Sequence, residues 1–263
     1  VRFWNWWNRG YNNAFRLDKS RSKSIGLGTN TAVSLSEITD SAPCPRCKGE
    51  GEDAGNGSLI RLAAVPLYFF RDLDLCMRVC AESSYVTHPG HVAADACSFL
   101  GYLIAKMIGR PLRKLSPARF LDRIVAQFLA RPEVGMQPEL ARLLRSSEPP
   151  ESCERCWNWR DPKGPFLEET IQNRGNEYNG RAVNPEYMGS FSMDGLAIAL
   201  HCFYHTRTFM AAITKCVNFL GDADSTAAIC GQIAGCFYGV DAIDSRLVKS
   251  LNQWDEGDIG FRG

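Results

Sequence analysis

The stretch HVAADACSFLGYLIAKMIG, residues 91–109, decides the class of fold. Its apolar residues fall at 92/93, 96/97, 99/100, 103/104 and 107/108, the i, i+3, i+4 stripe of a helix with a buried face, and Gly109 with Pro111 beyond it supplies the stop. The same stripe recurs at Phe120, Ile124 and Phe128, and again at Phe209, Ala212, Ile213, Cys216, Val217 and Leu220. SFSMDGLAIALHCFYH, residues 190–205, is apolar nearly all round, as a helix at the centre of a core would be. No segment sustains the alternation of a strand. The expectation is an all-α fold: a single compact multi-helix domain over residues 1–263, with long loops at 40–57 and 146–190, both rich in Gly, Pro, Asn and charge. Loops of that length in a helical domain are usually functional, so they are where chemistry is sought.

Bulk composition narrows the partners. Thirty basic residues against 29 acidic ones leave a net charge of +1 with no run of either sign, so the chain lacks the basic stripe that binding a nucleic-acid backbone requires. The eleven cysteines are odd in number and lie largely in helix-like segments, which reads as free buried thiols in a reducing, cytoplasmic setting. Apolar runs such as AAVPLYFF are far shorter than the roughly 18 to 20 residues that span a bilayer, so a soluble, monomeric protein is expected. The opening VRFWNWWNRG lacks Met and starts inside an aromatic-rich segment, as though partway into a domain.

Two CxxC pairs, Cys44/Cys47 and Cys153/Cys156, invite a second reading, since four thiolates make a tetrahedral zinc site. The 105 residues between Cys47 and Cys153 exceed the spacing of a zinc ribbon, so incidental thiols are the preferred reading and a zinc clip on a helical scaffold the alternative. In the second long loop, Glu177, Tyr178 and Asn179 precede the central helix and are weaker candidates for ligand contact.

GDADST, residues 221–226, is the most unusual feature. Residues two apart on a helix point about 200° away from each other, so Asp222 and Asp224 converge only if they form an extended lead-in and Ser225 or Thr226 opens the helix. One aspartate can cap that helix and meet its positive end. The second then has no capping role, and two carboxylates with the Ser225 hydroxyl make an oxygen set suited to Mg²⁺, with Mn²⁺ also accepted.

With this motif as anchor the sequence resembles the ADP-ribosylglycohydrolase family of all-α hydrolases. GDADSTAAICGQIAGCFYG resembles the family's C-terminal metal motif, and GNGSLIRLAAVPL (55–67) its Gly-Asn-Gly loop and following helix. THPGHVAADACSFLGYLIAKMIG resembles its Thr-His helix start, and GSFSMDGLAIALHCFYHTRTFMAAITKCVN its penultimate helix pair, all in the family's order. GYNNAFRLDKSRSKSIGLGTNTAV is a fifth, weaker likeness. The resemblance implies a two-magnesium site with Asp222, Asp224 and Ser225 as ligands, and an ADP-ribose pocket lined by Asn56, Gly57, Ser58 and His88. The residue types suit those roles: the glycines admit close backbone approach, and a helix starting near Ser58 presents N–H groups to an anion. His88 before Pro89 reads as a helix mouth. Arg61 has two readings, a phosphate contact or an ion pair between helices. His91, His201 and His205 read as packed or surface residues.

The resemblance also implies an acidic half-site, Thr-Asp-Asp with a further glutamate, ahead of the residues present. EITDS supplies Thr39 and Asp40 in the wrong place. A fragment of an enzyme, a short form that binds without cleaving and a chain completed by a partner are the three accounts of that gap. The expected activity is magnesium-dependent hydrolysis of an ADP-ribose glycosidic bond on a modified protein or related compound, with an inactive ADP-ribose-binding module as alternative and no general base assignable.

Overall fold

The structure, a computed structural model, describes residues 2–9, 27–38, 54–108, 115–131, 135–147, 156–164, 177–178, 181–182 and 188–252. Along the chain these form α1 (Arg2–Arg9), α2 (Thr29–Ser36), α3 (Gly57–Ile60), α4 (Ala64–Phe69), α5 (Leu73–Tyr85), α6 (His91–Ile108), α7 (Pro117–Leu129) and α8 (Pro138–Arg145). Two-residue strands β1 (Glu177–Tyr178) and β2 (Arg181–Ala182) pair antiparallel. Then come α9 (Ser192–Tyr204), α10 (Phe209–Val217), α11 (Ala223–Tyr238), a single 3₁₀ turn (Val240–Ala242) and α12 (Ser245–Asn252). Apart from that minimal hairpin the described residues are helical or irregular, so the all-α expectation holds.

Helices α6, α9 and α11 form the spine. α6 lies along α5, touches α3 and α4 on that flank, and meets α7, α8, α9 and α11 elsewhere; α9 and α10 both pack on α11. The stripe read from residues 91–109 explains the first contact. Ala93, Ala94, Ala96, Cys97 and Gly101 are buried, and a Cβ on Gly101 would overlap Cys80 Sγ, so α5 and α6 approach closely because that position has no side chain. The larger residues of α6 face α7, where Phe99 and Tyr102 sit 5.1 and 5.2 Å from the Phe128 ring. Residues 192–203 of α9 are all buried, as the all-round apolar pattern requires.

Local signals place the helix starts. Asp72 accepts from the Leu75 amide at 3.0 Å, Thr208 from the Ala211 amide at 3.1 Å, and Ser116 precedes Pro117 at the first position of α7. α6 starts at His91 and not at the Pro89 mouth. α10 ends at Val217 with Asn218 as its C-cap, and Leu220, at a left-handed φ of 60° and 68% exposed, is the last member of the expected stripe and lies outside the helix. By composition α6, 18 residues long, is the one described helix long and apolar enough to cross a membrane; here 67% of it is buried against the other helices.

Parts of both long loops are built into the core. Residues 54–57 and 188–190 belong to the site described below, and residues 156–164 run across α8 and α9, with Trp157 and Trp159 buried. Of the CxxC cysteines, Cys156 is buried, and Cys44, Cys47 and Cys153 lie outside the described residues, as do Thr39, Asp40, Gly109, Pro111 and Asn179.

Candidate functional site

Three segments far apart in sequence meet at the head of α11. Residues 188–192 form a strap between the other two. The Asn56 amide donates to Ser190 O at 2.9 Å, the Ser192 amide to Ala54 O at 2.7 Å, and Gly55 and Phe191 form an antiparallel bridge. On the other side the Asp222 amide donates to Met188 O at 2.8 Å. Two glycines make this possible. Gly221 has φ +62° and a Cβ there would lie 2.5 Å from Met188 O; Gly189 has φ +96° and a Cβ there would lie 2.6 Å from Thr226 Cγ2.

Asp222 is the N-cap of α11 by position and not by bonding. The helix begins at Ala223, two or three residues before the expected Ser225 or Thr226, and the Asp222 side chain takes no backbone N–H of its own helix. Its Oδ2 instead accepts from Asn56 Nδ2 at 2.7 Å, and the Ser225 hydroxyl and the Asp224 carboxyl both reach it. Because Asp222 precedes the first helical residue, the 200° separation does not apply, and the pair converges although Asp224 is itself helical. Burial is the main cause that raises the Asp222 carboxyl above its ordinary range; the bonds from Asn56 and Ser225 oppose it and the Asp224 charge adds to it.

Two carboxylates pressed together at a helix N-terminus are relieved by a shared proton or by a cation. The donor set of Asp222, Asp224 and Ser225 is all oxygen and fits a hard divalent ion, with water or substrate oxygens completing the shell. Among the described residues no three His, Cys, Asp or Glu side chains converge as a metal cage.

The expected pocket residues separate. Asn56 is 7% exposed and spends both N–H groups, on Asp222 Oδ2 and on Gly189 O at 2.8 Å. Gly55 and Gly57 make room for His88: a Cβ on Gly57 would lie 2.9 Å from His88 Cε1, and one on Gly55 would lie 3.3 Å from His88 Nε2 and 3.1 Å from Asn30 Nδ2. His88 is buried, with Nδ1 2.7 Å from Thr87 Oγ1. Ser58 turns its side chain inward. It is wholly buried, and its hydroxyl accepts from Ser84 at 2.9 Å and from the Cys97 thiol at 3.4 Å, so that side chain joins α3 to α5 and α6 and faces the core. Burial pushes the Cys97 thiol up to about 11, keeping it a donor. Among the described residues Arg61 meets backbone carbonyls and not an inter-helix carboxylate. Its half-buried guanidinium donates to Gly57 O at 3.1 Å and Ser83 O at 2.9 Å and lies 5.3 Å over the Phe3 ring, tying the loop to α5.

The weakest of the five likenesses ends beside the site. α2 carries Asn30 against Gly55, and Ser34 donates to Thr87 O at 3.0 Å, locking α2 to the His88 turn. Sequence reading missed the strap and Asp194 beneath it, a buried carboxylate that accepts from the Trp157 indole at 2.8 Å while Trp157 packs 6.2 Å from Phe191. Gly189 and Gly195 were the available signal. The ideal Cβ of Gly195 would lie 2.9 Å from Gly189 O, the carbonyl that Asn56 also uses. His201 and His205 lie away from the site, with His201 Nδ1 3.1 Å and His205 Nε2 3.2 Å from the same Trp159 carbonyl; His91 pairs with the Tyr85 hydroxyl at 3.0 Å.

Known proteins resemble this chain in sequence and fold. Over 198 residues the chain is 26% identical to ADP-ribosylarginine hydrolase Tri1 of Pseudomonas putida (strain GB-1), covering 75% of this chain and 42% of that protein. It is 37% identical over 70 residues to the ADP-ribosyl-[dinitrogen reductase] glycohydrolase of Rhodospirillum rubrum, which is 27% of this chain and 24% of that protein. The chain thus spans about half or less of these curated relatives. Among solved structures, an ADP-ribosylglycohydrolase-related protein complex superposes with a TM-score of 0.59 at 23% identity, over 87% of this chain and 65% of that one, which shows a shared fold. The sequence pattern of the ADP-ribosylglycohydrolase family matches residues 1–259, a span that holds the helical spine, the strap and the paired aspartates alike, and the chain belongs to that family.

Proposed function

We propose that this chain carries the C-terminal metal side and the Gly-Asn-Gly side of a hydrolase that removes ADP-ribose from a modified protein side chain or a related ADP-ribosyl compound. One observation carries the reading: Asp222, Asp224 and Ser225 converge at the head of α11 on a carboxylate held from behind by Asn56. Asp222 and Asp224 would hold magnesium, or manganese in its place, with the Ser225 hydroxyl beside them. When bound there, such an ion supplies Lewis-acid polarisation of ribose oxygens. The strap keeps the two carboxylates at a fixed place, since Met188 and Asn56 grip Asp222 from both its backbone and its side chain. The reaction adds water to the anomeric carbon of the ribose, breaks its bond to the side-chain nitrogen or oxygen, and passes a proton to that leaving group. The family membership supports this chemistry, and the printed names of the relatives, an ADP-ribosylarginine hydrolase and an ADP-ribosyl-[dinitrogen reductase] glycohydrolase, support an ADP-ribosylated protein as the substrate class.

A second reading rests on the same site. Among the described residues no third His, Cys, Asp or Glu joins the two carboxylates, and binding of ADP-ribose without turnover is the function such a site would retain. Incubation of the purified chain with ADP-ribosylated protein, in Mg²⁺ and in EDTA, separates the two. Release of ADP-ribose in Mg²⁺ alone supports hydrolysis, calorimetric ADP-ribose binding without release supports the binding module, and absence of both refutes the assignment.

A further inference from the structure

The amide of Asn56 has two protons, and both are committed. One goes to Gly189 O at 2.8 Å and the other to Asp222 Oδ2 at 2.7 Å, in a residue 7% exposed, so the amide orientation is fixed by a carbonyl and a carboxylate oxygen. Its backbone is equally tied, with the amide on Ser190 O. Gly195 keeps this arrangement open, because a Cβ there would press on Gly189 O at 2.9 Å and approach Asn56 Cβ at 3.7 Å. Asn56 therefore stands behind Asp222 and not on an open wall.

We infer that Asn56 is a positioning residue for the cation side of this site: by occupying Asp222 Oδ2 it leaves the other carboxylate oxygen as the one that faces a divalent ion. This rests on the cation reading of Asp222 and Asp224 proposed above and departs from a lining role for the Gly-Asn-Gly asparagine. An amide N–H held on one carboxylate oxygen takes up one of its acceptor sites and would bias a metal toward the other oxygen, and removing the outer hydrogen-bond partner of a metal ligand typically weakens metal affinity about 10–100-fold. A residue that touched only the organic ligand would leave the affinity for the metal alone untouched.

The test therefore uses Mn²⁺ alone, with no ADP-ribose, and follows the free-ion paramagnetic resonance signal on titration of the wild-type chain and of Asn56→Ala. The inference expects the variant to bind Mn²⁺ about 10–100-fold more weakly. In infrared difference spectra, magnesium-loaded minus metal-free, the wild type should show monodentate carboxylate splitting that shifts toward a chelating pattern in the variant, a change that a purely structural loss would not produce. Should Asn56→Ala fail to fold, the wild type still answers. Its Asn56 side-chain amide signals in ¹H–¹⁵N spectra must shift on addition of Mg²⁺ alone, and signals that stay in place at saturating Mg²⁺ overturn the inference. An affinity within about twofold of wild type also overturns it, even where ADP-ribose hydrolysis falls, and leaves the proposed function standing. A wild-type chain that binds neither ion overturns both.

Discussion

His201 should make the fold acid-sensitive in a way that one substitution removes. It is 1% exposed at the far end of α9. Because Trp159 O can only accept, His201 Nδ1 carries the proton at 3.1 Å and Nε2 is bare; His205 Nε2 donates to the same oxygen at 3.2 Å, and the two rings lie 4.5 Å apart. Protonating His201 therefore places a cation in the core beside a second imidazole and near Lys215, with Asp161 as partial compensation. Burial is the largest cause and brings His201 down from 6.5 to about 4. The sign follows from linkage: the unfolded chain takes up the proton first, so the stability that the neutral ring contributes is complete above pH 6.5 and is lost as pH falls toward 4. At about 1.4 kcal/mol per pH unit the full interval is worth about 3 kcal/mol, and about 2.5 kcal/mol of it is gone by pH ~4.5. His205, also lowered chiefly by burial, acts in the same direction. The assay is urea unfolding followed by tryptophan fluorescence at several pH values for the wild type and His201→Gln, which keeps an N–H donor without titrating. Carboxylates common to both chains cancel in the difference. The gap between the chains should close by about 2.5 kcal/mol between pH ~7.5 and pH ~4.5, and a change under about 1 kcal/mol would refute the reasoning.

Three further outcomes test the site and its supports. Gly189→Ala puts a Cβ 2.6 Å from Thr226 Cγ2 at φ +96°, and should cost on the order of 1–3 kcal/mol in urea unfolding, whereas Gly28→Ala, with nothing within 4 Å, should cost under about 1 kcal/mol. Trp157→Phe removes the indole donor of the buried Asp194 and should cost on the order of 1–3 kcal/mol, read from the same titration at neutral pH. Asp224→Asn removes the charge pressed on Asp222; the metal-free melting temperature should hold or rise, and any rise that Mg²⁺ induces in the wild type should disappear, both by thermal scanning with and without EDTA.

The helices were legible because their signals are local. The period in residues 91–109 depends on neighbours within two turns, and so do Pro117 after Ser116 and the uninterrupted apolar face of residues 192–203. Leu220 escaped because periodicity carries past a helix end when the next apolar residue falls on phase, although α10 has already closed at its C-cap Asn218. The paired aspartates were legible as a pair, since a second carboxylate beside a capping position has no local use. What the local reading could not supply is where Asp222 turns. Its own helix offers backbone N–H groups within reach, yet the side chain bonds to Asn56, 166 residues away, through a strap that reaches Asn56 across 133 residues. Glycines hide such choices in the same manner. A Gly-Asn-Gly loop is free to approach a diphosphate or an imidazole, and here His88, on the turn after α5, takes the space. Ser58 shows the same limit, because no local signal tells that its hydroxyl is enclosed by Ser84 and Cys97. The paired aspartates and the Gly-Asn-Gly loop could thus be picked out in the sequence, while the strap that joins them and the partners of each side chain depend on long-range contacts. That is why a measurement on Asn56 with metal alone tells more about this site than another motif match would.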